Sequence, residues 1–131
     1  KNDFERVNAQ YKKLNIDADV FDFSKDIPNK MAKADFAVSR AGASTLWELC
    51  ANSLPTFFIP YKYAAGDHQY YNAKALFDKG ICFLKREEEL NEEYFFQAIN
   101  SDIHKISIQL ISSISPNAIS LIANIILEND K

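Results

Sequence analysis

Between Pro55 and Pro60 the chain carries Thr56-Phe57-Phe58-Ile59, a run with no charged residue. Continuous apolar residues of strand length fit a strand buried on both faces, the environment of a parallel sheet layered between helices. Its surroundings agree. Asp35-Phe36-Ala37-Val38-Ser39 and Ile81-Cys82-Phe83-Leu84 read as further short strands, and Ala18 to Phe23 alternates as a strand does. Helical patterns fall between them. Phe4, Val7, Tyr11 and Leu14 repeat at threes and fours, predicting an amphipathic helix over residues 4–14. Ser24 to Pro28 forms a turn, with Pro28 opening a short helix that ends near Lys33. A third helix runs from Thr45 to Asn52 with Leu46, Leu49 and Cys50 inward. A fourth runs from Asp67 to Lys79 with Tyr71, Ala75 and Leu76 inward, closed by Gly80. Beyond residue 84 only helices follow, over roughly 91–99, 102–114 and 116–128, the last opened by Pro116.

The alternation predicts an α/β fold: a Rossmann-like parallel sheet with flanking helices and right-handed crossovers. The 131 residues form one domain with a helical C-terminal segment from about residue 91. In such sheets ligands bind beyond the carboxyl ends of the strands. That rule selects the loops Phe23–Asp26, Arg40–Thr45 and Tyr61–Gln69.

Composition removes several classes. With 47% hydrophobic residues and a net charge of -3, the chain is neither disordered nor basic enough to track nucleic acid. The run Lys85-Arg86-Glu87-Glu88-Glu89 is mixed in sign and reads as a solvated loop and helix start. Cys50 and Cys82 lack a CxxC partner and sit in apolar runs, as small buried hydrophobes in a reducing compartment do. No signal peptide and no apolar stretch of about 18 residues stands in the sequence, so a cytoplasmic protein is expected. With two histidines and no clustered carboxylates, neither a metal site nor a cofactor is expected. The chain opens on Lys1-Asn2-Asp3-Phe4-Glu5 without Met, as a piece of a longer protein would.

Three places carry candidate chemistry. Ser39-Arg40-Ala41-Gly42-Ala43-Ser44-Thr45 joins a strand to a helix with small residues. A ligand can approach such a backbone, and the unpaired N–H groups of the helix favour an anion, a diphosphate above all. The structural alternative is a capping box, since Thr45 and Glu48 have its T-x-x-E spacing. Glu48, one turn into the helix, can accept two hydrogen bonds from a vicinal diol such as a ribose; its plain alternative is a carboxylate favoured by the helix N-terminus. In Asp67-His68-Gln69-Tyr70-Tyr71-Asn72 a loop enters the fourth helix with Asp67 as N-cap, and His68 and Gln69 in the first turn can read sugar hydroxyls. Taken alone, His68 is more often a plain surface residue. Phe57, Phe58, Tyr61, Tyr63, Tyr70 and Tyr71 read as core and rim. His104 receives no role.

The segment Ala34-Asp35-Phe36-Ala37-Val38-Ser39-Arg40-Ala41-Gly42-Ala43-Ser44-Thr45-Leu46-Trp47-Glu48 resembles the donor-site signature of the MurG family of glycosyltransferases. Leu54-Pro55-Thr56-Phe57-Phe58-Ile59-Pro60, then Asp67-His68-Gln69 and Asn72-Ala73, continue it in order. The resemblance runs from about residue 14 to 84. It implies the C-terminal, donor-binding half of a GT-B enzyme that transfers N-acetylglucosamine from UDP-GlcNAc to lipid I, forming lipid II for peptidoglycan. In that reaction the 4-hydroxyl of the lipid-linked sugar attacks C1 of GlcNAc with inversion. By motif match Glu48 holds the ribose hydroxyls, while Gly42, Ala43, Ser44 and Thr45 meet the diphosphate and sugar. His68 and Gln69 contact GlcNAc and Asn72 supports their helix. Phe23 and Ser24 meet uracil mainly through backbone, and Arg40, also in the signature, counts among the substrate-binding residues with a structural role as its alternative. Ser44 departs from the Leu that many relatives carry. The family's glycine-rich first loop and its acceptor domain are not in these residues. The resemblance therefore implies a sheet incomplete at its N-terminal edge, no catalytic base on this chain, and no transfer by the chain alone. It also implies a full-length enzyme peripheral to the cytoplasmic face of the inner membrane, meeting lipid I through its other domain. The alternatives are another UDP-sugar transferase or hydrolase of the same fold, or a stand-alone donor subunit that needs a partner chain.

Overall fold

A computed structural model describes residues 2–113. Helix α1 (Asn2–Lys13) places Asp3 and Glu5 in its first turn and Lys12 and Lys13 in its last, the signs its dipole favours. A short helix α2 (Ile27–Met31) follows, with Pro28 in its first turn. Then come β1 (Ala37–Ser39), α3 (Ala43–Ala51), β2 (Thr56–Phe58), α4 (His68–Phe77) and β3 (Phe83–Leu84). Two helices close the described part, α5 (Glu92–Ile99) and α6 (Ile103–Ser113). The helix expected over 116–128 lies outside the described residues.

The three strands pair in parallel in the order β1-β2-β3, with Val38 opposite Phe57 and Phe57 opposite Phe83. The central strand β2 is buried throughout. Pleating sends Phe58 and Phe57 to opposite faces. Phe58 joins the main core with Leu46, Leu49 and Cys50 of α3, Ala73 and Leu76 of α4, and Ile106 and Leu110 of α6. Phe57 meets Phe83, Tyr94 and Phe95, with ring centroids 6.4, 5.6 and 5.7 Å away. Helices thus cover both faces, the layering that the apolar run predicts. The same burial pushes the Cys50 thiol up to about 11 and that of Cys82 up to about 12, so both stay protonated.

Two expectations fail. Ala18 to Phe23 forms no strand; Phe21 and Phe23 are exposed. Alternation marks a segment suited to a sheet, but a strand exists only through a hydrogen-bonded neighbour. This segment has none among the described residues, and the outer side of β1 is unpaired there, leaving Val38 51% exposed. The inward face of α4 is also different. Tyr71 and Ala75 are exposed, whereas Ala73 and Leu76 are buried. The inward stripe is Gln69, Asn72, Ala73 and Leu76, a helical i, i+3, i+4, i+7 set whose first half is polar. Gly80, with φ of 70°, ends the helical turn as expected, and Ile81 N–H bonds back to Leu76 O at 3.2 Å.

Candidate functional site

Helix α3 begins at Ala43, two residues earlier than its sequence signals predict. Gly42 is the N-cap, in extended backbone, and no side chain caps the helix. Leu46 N–H is the first to bond back, to Gly42 O at 2.9 Å. The N–H groups of Ala43, Ser44 and Thr45 precede that bond and have no carbonyl within the helix. The capping box does not form, because Thr45 stands at the third helical position instead of the cap. Glu48 is exposed, and its carboxylate makes no hydrogen bond among the described residues.

The loop before this helix is held by α4. Ala41 is fully buried, so both polar groups of its peptide need partners from the protein. Gln69 Oε1 accepts from Ala41 N–H at 3.2 Å, and Asn72 Nδ2 donates to Ala41 O at 3.3 Å. Gln69 Oε1 also accepts from Tyr61 N–H at 3.0 Å. One amide side chain therefore ties the loop after β1 to the loop after β2. Its oxygen is engaged, and its NH₂ group is what remains for a ligand. This explains the polar half of the α4 stripe: Gln69 and Asn72 turn inward to satisfy backbone, not to fill the core.

Arg40 is a second tie. Its Nη1 donates to Ile59 O and Pro60 O, both at 3.1 Å, and Nη2 meets Glu87 Oε2 at 3.2 Å. The guanidinium links the loops after all three strands, which makes it structural. At the start of α4, Gly66 and Asp67 both have left-handed backbone, with φ of 59° and 56°. Asp67 occupies the N-cap position but caps nothing. Its carboxylate pairs with Arg86 instead, at 2.5 Å for the shorter contact. The Arg86 hydrogen bonds hold Asp67 below its ordinary carboxylate range, and Asp67 in turn raises Arg86. His68 is exposed, with Nδ1 2.7 Å from Ala65 O.

The structure thus joins Arg40, Gly42, Ala43, Gln69 and Asn72 into one connected loop system, with Ser44, Thr45 and Glu48 on the helix it opens. Thr45 and Ser39 also line an open cleft of about 360 Å³ between α2, β1 and α3. No hydrogen bond among the described residues ties Phe23 or Ser24 to this system: Phe23 is 78% exposed, and Ser24 Oγ accepts from Asp26 N–H at 3.1 Å. Arg86 and Glu87 are the residues that reading the sequence missed. They belong to the mixed-charge run that looks like a solvated loop. The available signal was position: they follow directly on the carboxyl end of β3, where ligand-facing loops sit. Among the described residues no group of three His, Cys, Asp or Glu side chains gathers for a metal, and no helix is long and apolar enough to cross a membrane.

A parallel sheet whose strand-end loops are laced around an uncapped helix N-terminus is a frame that can receive an anionic ligand, and the chain belongs to the glycosyltransferase family 28 C-terminal domain, whose model matches residues 1–119. Its relatives are more particular. It is 57% identical over 99 residues to the UDP-N-acetylglucosamine–N-acetylmuramyl-(pentapeptide) pyrophosphoryl-undecaprenol N-acetylglucosamine transferase of Campylobacter jejuni subsp. jejuni, covering 76% of this chain and 29% of that protein. The proteins of the same name from Campylobacter jejuni subsp. doylei and Campylobacter fetus subsp. fetus are 47% and 46% identical over 131 and 127 residues, covering 99% and 96% of this chain and 38% of each relative. The crystal structure of Acinetobacter baumannii MurG matches with a TM-score of 0.82 at 25% identity, over 95% of this chain and 40% of that one. The chain spans between 29% and 38% of the length of these curated relatives.

Proposed function

We propose that this chain is the donor-binding half of an inverting glycosyltransferase that moves N-acetylglucosamine from UDP-GlcNAc to lipid I. The observation that carries the reading is the uncapped N-terminus of α3, with its entry peptide locked by Gln69 and Asn72. The names of the curated relatives support the donor and the acceptor.

In this reading the free N–H groups of Ala43, Ser44 and Thr45 receive the diphosphate. As the C1–oxygen bond of GlcNAc breaks, negative charge grows on the leaving UDP. Donors already fixed in place stabilise that charge without reorganising, which is electrostatic preorganisation. The rigid loop supplies this fixity, since Gln69 and Asn72 of α4 hold its Ala41 peptide and its own Arg40 reaches the loops after β2 and β3. Glu48, whose carboxylate has no partner among the described residues, takes the ribose diol. Gln69 offers its NH₂ group to a sugar hydroxyl oxygen, and His68 offers a ring nitrogen. The attacking hydroxyl belongs to lipid I. It and the base that takes its proton come from a separate acceptor domain, at the cytoplasmic face of the membrane.

Calorimetric titration of UDP-GlcNAc, UDP-glucose and UDP into the chain and its Glu48→Ala variant tests the reading. The expected result is binding selective for UDP-GlcNAc and lost in the variant. Equal binding by Glu48→Ala would remove Glu48 from the site, and no binding of any uridine nucleotide by either this chain or the full-length protein would overturn the reading.

A further inference from the structure

Two successive left-handed residues, Gly66 and Asp67, turn the chain into α4. Glycine enters that conformation freely, but an L side chain rarely does, so the Asp67 conformation needs support. Arg86 supplies it. Its Nη2 and Nη1 reach Asp67 Oδ2 and Oδ1 at 2.5 and 3.3 Å, a two-pronged grip. The guanidinium carbon also lies 3.9 Å from the centre of the Tyr70 ring. Asp67 and Tyr70 flank the first turn of α4, and Arg86 holds both. Only arginine combines a planar fork for a carboxylate with a flat face for a ring.

His68 sits between these two gripped residues. Its Nδ1 is 2.7 Å from Ala65 O. A carbonyl oxygen can only accept, so Nδ1 carries the proton. In the neutral ring Nε2 is then a bare acceptor. That contact spans the left-handed turn and depends on it.

We propose that Arg86 is a positioning residue of the donor site: its grip on Asp67 and its stack on Tyr70 hold the turn that fixes His68 in the Nδ1–H form, leaving Nε2 to accept a hydrogen bond from a hydroxyl of the donor sugar. The inference rests on the donor-site reading for the identity of the ligand, but not for the effect on His68.

The test is nitrogen-15 NMR of the two imidazoles in the ¹⁵N-histidine-labelled chain, above the ordinary imidazole pKa of about 6.5, with His104→Gln assigning the signals. Wild type is expected to show His68 mainly as the Nδ1–H tautomer. Arg86→Met should turn it mainly to Nε2–H. Arg86→Lys, which keeps charge but loses the fork, should give a mixture and decides the matter if Arg86→Met does not fold. Asp67→Gly added to Arg86→Met should restore Nδ1–H, because glycine needs no support in a left-handed turn. A wild-type tautomer population in both Arg86 variants overturns the proposal. In parallel titrations, affinity for UDP-GlcNAc should fall about three- to tenfold in Arg86→Met, as loss of one hydrogen bond allows, while affinity for UDP holds. An equal fall for UDP and UDP-GlcNAc overturns the sugar-facing role. A tautomer shift where neither the wild-type chain nor the full-length protein binds a uridine nucleotide upholds the Arg86 grip and overturns the donor-site reading instead.

Discussion

Replacing Gln69 with Leu removes one side-chain oxygen and strips two backbone N–H groups of their partner. The two losses are unequal. Ala41 is fully buried, so its N–H cannot turn to water. An orphaned buried donor costs about 1–3 kcal/mol. Tyr61 is exposed, so its N–H is rehydrated, and that loss is near the net value of an ordinary hydrogen bond, about 0.5–1.5 kcal/mol. The sum is about 1.5–4.5 kcal/mol. For a domain of this size each kcal/mol moves Tm by about 3–6 °C, so Gln69→Leu should melt roughly 5–25 °C lower, read by circular dichroism. Gln69→Glu separates positioning from ligand contact. Its carboxylate still accepts from both N–H groups, so stability should hold within about 1 kcal/mol. It lacks the NH₂ group, so UDP-GlcNAc affinity should fall while the Ala41 amide stays protected from hydrogen exchange. If Gln69→Leu melts like wild type and leaves the Ala41 amide equally protected, the loop is held by something other than this clamp.

Asp67 should make stability depend on acid. Its folded carboxyl lies below its ordinary value of 3.8 because Arg86 bonds the charged form. A depressed acid contributes stability that is complete above the unfolded value and lost as pH falls through the folded one. The urea midpoint of wild type should therefore exceed that of Asp67→Asn at pH 6 and converge on it as pH drops below 3.8; a constant gap would rule out the pairing. The two cysteines, with thiols pushed up to about 11 and about 12 by burial, should resist a disulfide reagent at pH 8 and react together only on unfolding. Rapid reaction of either in the native chain would contradict its burial.

The amino-acid order alone determined the layered α/β class. Thr56–Phe58 carries no charge on either face, which suits a strand covered on both sides in a parallel sheet, and the alternating helical patterns around it agree. It also determined where ligand chemistry sits, because strand-end loops follow once the strands are placed. Tertiary structure decided the rest. Ala18–Phe23 has the alternation of a strand, but pairing depends on a neighbour that no local pattern specifies. Helix α3 starts at Ala43 because Gly42 is extended there, while the Thr45–Glu48 spacing pointed two residues further on. The inward face of α4 is led by Gln69 and Asn72, which an apolar periodicity cannot find, since they are turned in by the buried Ala41 peptide. Arg86 looked like one charge among five until folding set it beside Asp67 and Tyr70. Burial of apolar surface is written residue by residue and so is legible in a sequence. Hydrogen-bond partners of buried backbone come from distant segments, and only the folded chain brings them together.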